Sequence, residues 1–177
     1  MGKRSDFKRR PQDAYDTPPE AVEPLVPHLP KRFMYWEPCA GNMSLCEAMW
    51  DNQGIPEPWC VLASDVEPRG RLVRKADALD LVAPDRADFI ITNPPWTRSI
   101  LHPMIDHFRR LRPTWLLFDA DWMHNRQAAP YLPFCHKIVS VGRVKWIPGS
   151  PHTGKDNCAW YLFDREAAQT QFFGRQI

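Results

Sequence analysis

A doubly wound, mostly parallel α/β sheet is the fold class this sequence predicts, and three observations carry the prediction. Short runs of β-branched and aromatic residues recur along the chain and end in acids, glycine or proline. Segments with helical spacing of apolar residues separate them, the alternation that builds parallel sheets. At Phe89-Ile90-Ile91-Thr92 a strand pattern suited to burial on both faces stops at Asn93-Pro94-Pro95-Trp96. Proline lacks an N–H and has a fixed φ, so the chain must turn at that strand's carboxyl end.

The elements follow in order. Pro18 to about Leu29 suits a short helix opened by proline. Arg32–Trp36 reads as the first strand, ending at Glu37-Pro38. Ser44-Leu45-Cys46-Glu47 has the spacing of a capping box and opens a helix to about Asp51. Cys60–Ser64 is the second strand, closed by Asp65, and Asp77-Ala78-Leu79 marks a brief third segment. Ala87–Thr92 is the strand before the two prolines. Ile100–Leu111 is a helix with Ile100, Met104, Ile105, Phe108 and Leu111 on one side. Trp115–Phe118 is a fifth strand. Lys137–Val144 and Trp160–Phe163 complete a seven-stranded sheet as a C-terminal antiparallel pair, separated by the polar loop Pro148–Asn157. Trp146 and Trp160 read as sheet packing.

Composition narrows the functional classes. At 177 residues, 44% hydrophobic and 25% charged, the chain suits one compact domain over residues 14–177, preceded by a flexible basic tail over 1–13. No apolar run approaches the ~18–20 residues of a membrane span. The basic first residues have no apolar segment behind them, which argues against a secretory signal. Five scattered cysteines without a Cys-x-x-Cys point to reduced thiols in a cytoplasmic protein. The six histidines show no metal-ligand spacing, and no metal is expected. Net charge is +2, yet the first ten residues carry +4 and the remainder −2. Such an arm either adds phosphate contacts on nucleic acid or is a solvated tail. Arg109, Arg110 and Arg112, beside His107, end a helix where cations favour the dipole, with phosphate contact as the alternative.

The corner at Asn93 carries the chemistry. In open α/β sheets ligands bind at the carboxyl ends of the strands. An Asn side chain beside the Pro94 carbonyl offers two acceptors to an amino group, and Trp96 offers a flat face on which a ring can stack. A plain strand-to-loop turn is the competing reading, since Asn and Pro are ordinary turn residues. Glu37-Pro38-Cys39-Ala40-Gly41-Asn42 lies after the first strand and before the first helix, the usual cofactor turn of a Rossmann-like sheet. Gly-x-Gly-x-x-Gly is absent, and a carboxylate there suits a cofactor bearing an ammonium group, not a pyrophosphate. Asp65, 24 positions after Gly41, stands where an acid can take ribose hydroxyls. Asp77 stands where an adenine amino group can be received.

Together these motifs resemble the class I S-adenosylmethionine-dependent amino-methyltransferases, especially small phage-type DNA N6-adenine methyltransferases. Asp16-Thr17-Pro18-Pro19-Glu20, preceded by Tyr15, is similar to that family's N-terminal cofactor motif, and Glu37, Pro38, Cys39, Ala40 and Gly41 to its glycine motif. Ser64-Asp65-Val66-Glu67-Pro68 resembles the ribose motif, Asp77-Ala78 the adenine-facing motif, and Asn93-Pro94-Pro95-Trp96 the catalytic motif. The likeness spans roughly residues 12–100. Met43 stands where many relatives have a second glycine, and the expectation is a methyltransferase domain without a separate target-recognition domain. The resemblance implies methyl transfer from S-adenosyl-L-methionine to the N6 amine of adenine in DNA, in the cytoplasm of a bacterial or phage-infected host cell. A homodimer or a partner subunit for target recognition would then be expected. RNA adenine, cytosine N4 and protein glutamine are rival substrates, and a non-catalytic nucleic-acid-binding subunit is the rival class.

Overall fold

The computed structural model describes residues 15–54, 57–149 and 153–175. The basic segment 1–13, and Ser150, Pro151 and His152 of the polar loop, lie outside them. One sheet organises the described chain: β1 (Arg32–Glu37), β2 (Glu57–Asp65), β3 (Arg74–Lys75), β4 (Phe89–Thr92), β5 (Thr114–Asp119), β6 (Cys135–Gly142), β7 (Cys158–Phe163) and β8 (Gln171–Phe173). Their spatial order is β3-β2-β1-β4-β5-β7-β6-β8. β7 runs antiparallel to β5 and β6, and every other pairing is parallel. The chain winds outward from β1 to β3, then returns to place β4 on β1's other side, which sets a topological switch point between β1 and β4.

The sheet has eight strands where the sequence predicts seven. β8 is only three residues long, too short to show an alternating pattern, and it pairs parallel with β6. The third strand is Arg74–Lys75, and Asp77-Ala78-Leu79 instead opens a 3-10 turn, with the Asp77 carboxylate accepting the Leu79 N–H at 2.9 Å.

Successive strand residues bury opposite faces. Ile91 packs with Phe33, Tyr35, Trp115, Leu117 and Trp160 beneath α1 (Pro19–Val22) and α2 (Ser44–Trp50). Ile90 packs with Trp36, Leu116, Phe118, Tyr161 and Phe163 beneath α3 (Arg98–Leu111). Helix α3 presents Leu101, Met104, Ile105 and Phe108 to the sheet, while Ile100 is exposed. The proline-opened helix expected over 18–29 is a single α-helical turn, α1, followed by a 3-10 segment over Glu23–His28 that contains Pro24 and Pro27. Proline removes hydrogen bonds an α-helix needs, so the tighter form takes over.

The capping box does not form. Met43, in the left-handed region at φ 77°, precedes α2, and no side chain caps its N-terminus. Ser44 turns to Asn42, whose Oδ1 accepts the Ser44 hydroxyl at 2.6 Å and the Ser44 N–H at 3.1 Å. Thus the departure at Met43 falls where the backbone keeps the conformation that favours glycine.

Candidate active site

The carboxyl ends of β1, β2 and β4 lie side by side and meet the segment entering α1. After β1, the turn reaches Gly41, whose φ of 51° is left-handed. Its N–H donates to Asp65 Oδ2 at 2.8 Å, and the other Asp65 oxygen accepts the Glu67 N–H at 2.8 Å. The Gly41 carbonyl accepts from Arg69 and Gly70 at 2.8 and 3.0 Å. Asp65 therefore holds the turns after β1 and β2 together through backbone donors.

Asn93 lies one residue beyond β4 and is anchored at its amide. Nδ2 donates to Thr17 Oγ1 at 3.2 Å and to the Tyr15 carbonyl at 3.4 Å. Oδ1 accepts the Trp96 indole N–H at 3.2 Å. Thr17 itself is buried. The N-terminal segment and the proline corner, 76 positions apart at the Thr17–Asn93 bond, thus share one hydrogen-bond set.

These parts bound a cavity of about 20 Å³, room for little more than a water. Tyr15, Thr17, Glu37, Cys39, Ala40, Gly41 and Asn93 line it, all of them candidates from the sequence. Pro18, Pro38, Val66, Ala78, Pro94, Pro95 and Trp96 do not line it, and neither do Asp65 and Asp77. Pro38, Ala78 and Pro94 are buried, whereas Val66 and Asp77 face solvent. Asp16 and Asn42, within the N-terminal motif and the glycine turn, also line it, and the lining adds Ser44, Leu45 and Arg69. Arg69 Nη2 lies 2.5 Å from Asp16 Oδ1 across the cavity mouth. With both side chains partly exposed, at 42% and 31%, this pair contributes at most about 1 kcal/mol. The signal available in the sequence was the cation in Pro68-Arg69-Gly70, directly after the ribose-like motif.

Glu37 sits at the floor, 2% exposed. Burial pushes its carboxyl well above the ordinary carboxylate value, and the neighbouring Cys46 and Asp65 push it further the same way. Its carboxyl accepts the Cys46 thiol at 2.8 Å. Cys46 remains a thiol, raised by its hydrogen bond with Cys60 and by burial.

Trp160 packs in the core, donating its indole N–H to the Ala21 carbonyl at 2.7 Å. Trp146, half-buried beyond β6, packs against the same cluster and also stands nearly perpendicular to Trp96, with ring centroids 5.8 Å apart, and 6.3 Å from Tyr15. An aromatic group of three therefore borders the Asn93 corner. The loop after β6 also reaches this edge, where the Asn157 carbonyl accepts the Ala120 N–H at 2.9 Å beside β5. By contrast, Arg109, Arg110 and Arg112 lie at the opposite end of the sheet, where α3 leads into β5. Arg109 and Arg110 pair with Asp106, and Arg112 binds the carbonyls of Ala87 and Leu111.

Solved structures share this fold. A dimethyladenosine transferase from Plasmodium falciparum matches 85% of this chain at 18% identity, with a TM-score of 0.54. A class I S-adenosylmethionine-dependent methyltransferase from Listeria monocytogenes, described as putative, matches 88% at 11% identity, with a TM-score of 0.52. A type I restriction-modification methyltransferase subunit from Streptococcus thermophilus matches 90% at 10% identity, with a TM-score of 0.57. The chain has the Rossmann-like methyltransferase fold. It spans 62% of the first two of these proteins and 47% of the third. No family model matches the sequence, and no curated protein matches it in sequence.

Proposed function

We propose that this chain transfers a methyl group from S-adenosyl-L-methionine to the N6 amine of adenine in nucleic acid, with DNA as the substrate. One observation carries the reading: Asn93, at the carboxyl end of β4, lines the same cavity as the Gly41 turn and the Tyr15–Thr17 segment. A group that positions an amine thus adjoins a turn suited to a cofactor.

The residues present suit that cofactor. Gly41 leaves backbone open to a close approach once the Arg69 side chain moves aside. Glu37 supplies a carboxyl to an ammonium group, and Tyr15, Thr17 and Pro18 border the methionyl end. Pro38, Cys39 and Ala40 shape the turn. Asp65 retains lone pairs for ribose hydroxyls, with Val66 exposed beside it, and Asp77 with Ala78 faces the adenine ring. S-adenosylmethionine, when bound, supplies an electrophilic methyl on a sulfonium.

The chain's own work concerns the amine. The exocyclic nitrogen of adenine is a poor nucleophile because its lone pair is delocalised into the ring. Asn93 Oδ1 and the Pro94 carbonyl accept its two hydrogens and favour a tetrahedral nitrogen whose lone pair points away from the ring plane. A nitrogen–carbon bond would then form as the sulfur–carbon bond breaks, its electron pair staying on sulfur as S-adenosylhomocysteine leaves, and the amine's extra proton would pass to solvent. Trp96 gives up its bond to Asn93 Oδ1 and stacks on the extruded base, with Pro95 fixing the corner.

An RNA adenine is the second reading, favoured by the fold neighbour whose name specifies dimethyladenosine. Tritium transfer from labelled S-adenosylmethionine to DNA, RNA and protein, followed by nucleoside digestion, tests both. Label in 6-methyldeoxyadenosine supports the proposal, and label in methyladenosine supports the second reading. Cofactor binding without transfer to any pool replaces both with a binding subunit. Asn93→Ala should reduce transfer by at least about a hundredfold while S-adenosylhomocysteine still binds. Near-normal turnover in that variant would remove Asn93 from the mechanism.

A further inference from the structure

We infer that Arg69 binds the carboxylate of the cofactor's amino-acid end, and that Asp16 occupies that carboxylate's place in the closed site. The inference rests on the reading of this cavity as an S-adenosylmethionine site. Arg69 is the one cation among the described residues that line the cavity, which also holds the acids Asp16 and Glu37. A carboxylate entering without Arg69 would meet no cation among these residues and would face the acid Asp16. The guanidinium already lies on the open face of the glycine turn. A Cβ placed on Gly41 would sit 2.6 Å from Arg69 Nη2. That surface is where a ligand must lie to touch the turn's backbone.

The backbone of Arg69 is clipped there by two donors to the Gly41 carbonyl, its own N–H and that of Gly70. The side chain can therefore pivot while its Cα stays beside the turn. Its present partner, Asp16 Oδ1 at 2.5 Å, is itself a carboxylate. Replacing it with the ligand's carboxylate keeps the guanidinium paired throughout, in the fork geometry that suits carboxylates. The pair is partly exposed, so opening it costs little. Asp16 then turns to solvent, and the volume above Gly41 becomes free. The same exchange opens the cavity and rewards the ligand that opens it.

The two partners should act with opposite signs. Calorimetric titration of the full chain with S-adenosylmethionine and with its decarboxylated analogue separates the possibilities. Arg69→Gln should weaken S-adenosylmethionine binding by about tenfold or more, and change binding of the analogue less than about twofold. Asp16→Asn removes the competing anion and should tighten S-adenosylmethionine binding. Thermal melts of both variants check that they fold. Equal weakening of both ligands by Arg69→Gln would assign Arg69 to shape alone and overturn the inference. So would weakening of S-adenosylmethionine by Asp16→Asn, the mark of a purely structural strap. If the unaltered chain binds neither ligand, the cofactor reading itself falls, a result distinct from either of these.

Discussion

Glu37 joins burial to ligand charge at a single carboxyl. Its raised proton affinity exists only in the folded chain, because burial creates it. The contribution is fully present below the ordinary carboxylate value and fades as pH rises toward the elevated folded value. Folding stability should therefore fall with rising pH through this group, and Glu37→Gln should flatten that dependence in thermal melts at about pH 5 and pH 8. A cation beside Glu37 favours the ionised form, so an ammonium ligand should expel the proton. Cofactor affinity should then rise with pH, and calorimetry in buffers of different ionisation enthalpy should record proton release that Glu37→Gln abolishes. Asn93 was legible in the sequence because two prolines ending an apolar strand admit one physical consequence, a turn at the sheet's carboxyl edge. Arg69 was not, because its partner Asp16 lies 53 positions away and no local pattern joins them.

At the scale of elements, the start of α2 departs most from its sequence pattern. Ser44 and Glu47 have the right spacing for a capping box, yet the left-handed turn at Met43 gives Ser44 to Asn42. Asn42→Ala should cost about 1 kcal/mol, because its Oδ1 serves both the Ser44 hydroxyl and N–H, and denaturant melts should show it. The link between α1 and β7 is stronger. Trp160→Phe leaves the buried Ala21 carbonyl without the indole donor and should cost about 2–3 kcal/mol by the same measurement. The long, strongly periodic α3 was readable almost to the residue, with one shift: Leu101, not Ile100, faces the core. Short elements escaped. A two-residue β3 and a three-residue β8 form because neighbouring strands offer hydrogen bonds, and tertiary pairing of that kind leaves no periodicity to read.

Across the whole molecule, the sheet separates two sets of basic residues. The arginines ending α3 lie opposite the Asn93 edge and are occupied by Asp106 and backbone carbonyls. Arg110→Gln should leave the salt dependence of DNA binding unchanged. Lys155, in the loop between β6 and β7 at the Asn93 edge, is the better place for a phosphate contact. Lys155→Gln should lower the slope of log affinity against log salt by about one unit in anisotropy titrations. The doubly wound pattern was legible because β1, β2 and β5 end in acids, β6 ends in glycine and β4 runs into Asn93 and two prolines. The position of Trp146 was not, since an aromatic residue just after a strand reads equally as packing or as a loop contact.

The two outer strands set a rule for association. β3 offers two residues of edge backbone and carries Arg74 and Lys75, both exposed, while β8 offers three. β3 covers only Ser64 and Asp65 of the nine-residue β2, so residues 57–63 have no described strand on the side away from β1. A strand added to this sheet would therefore lie along β2, where Trp59 is exposed, and not along the short outer strands.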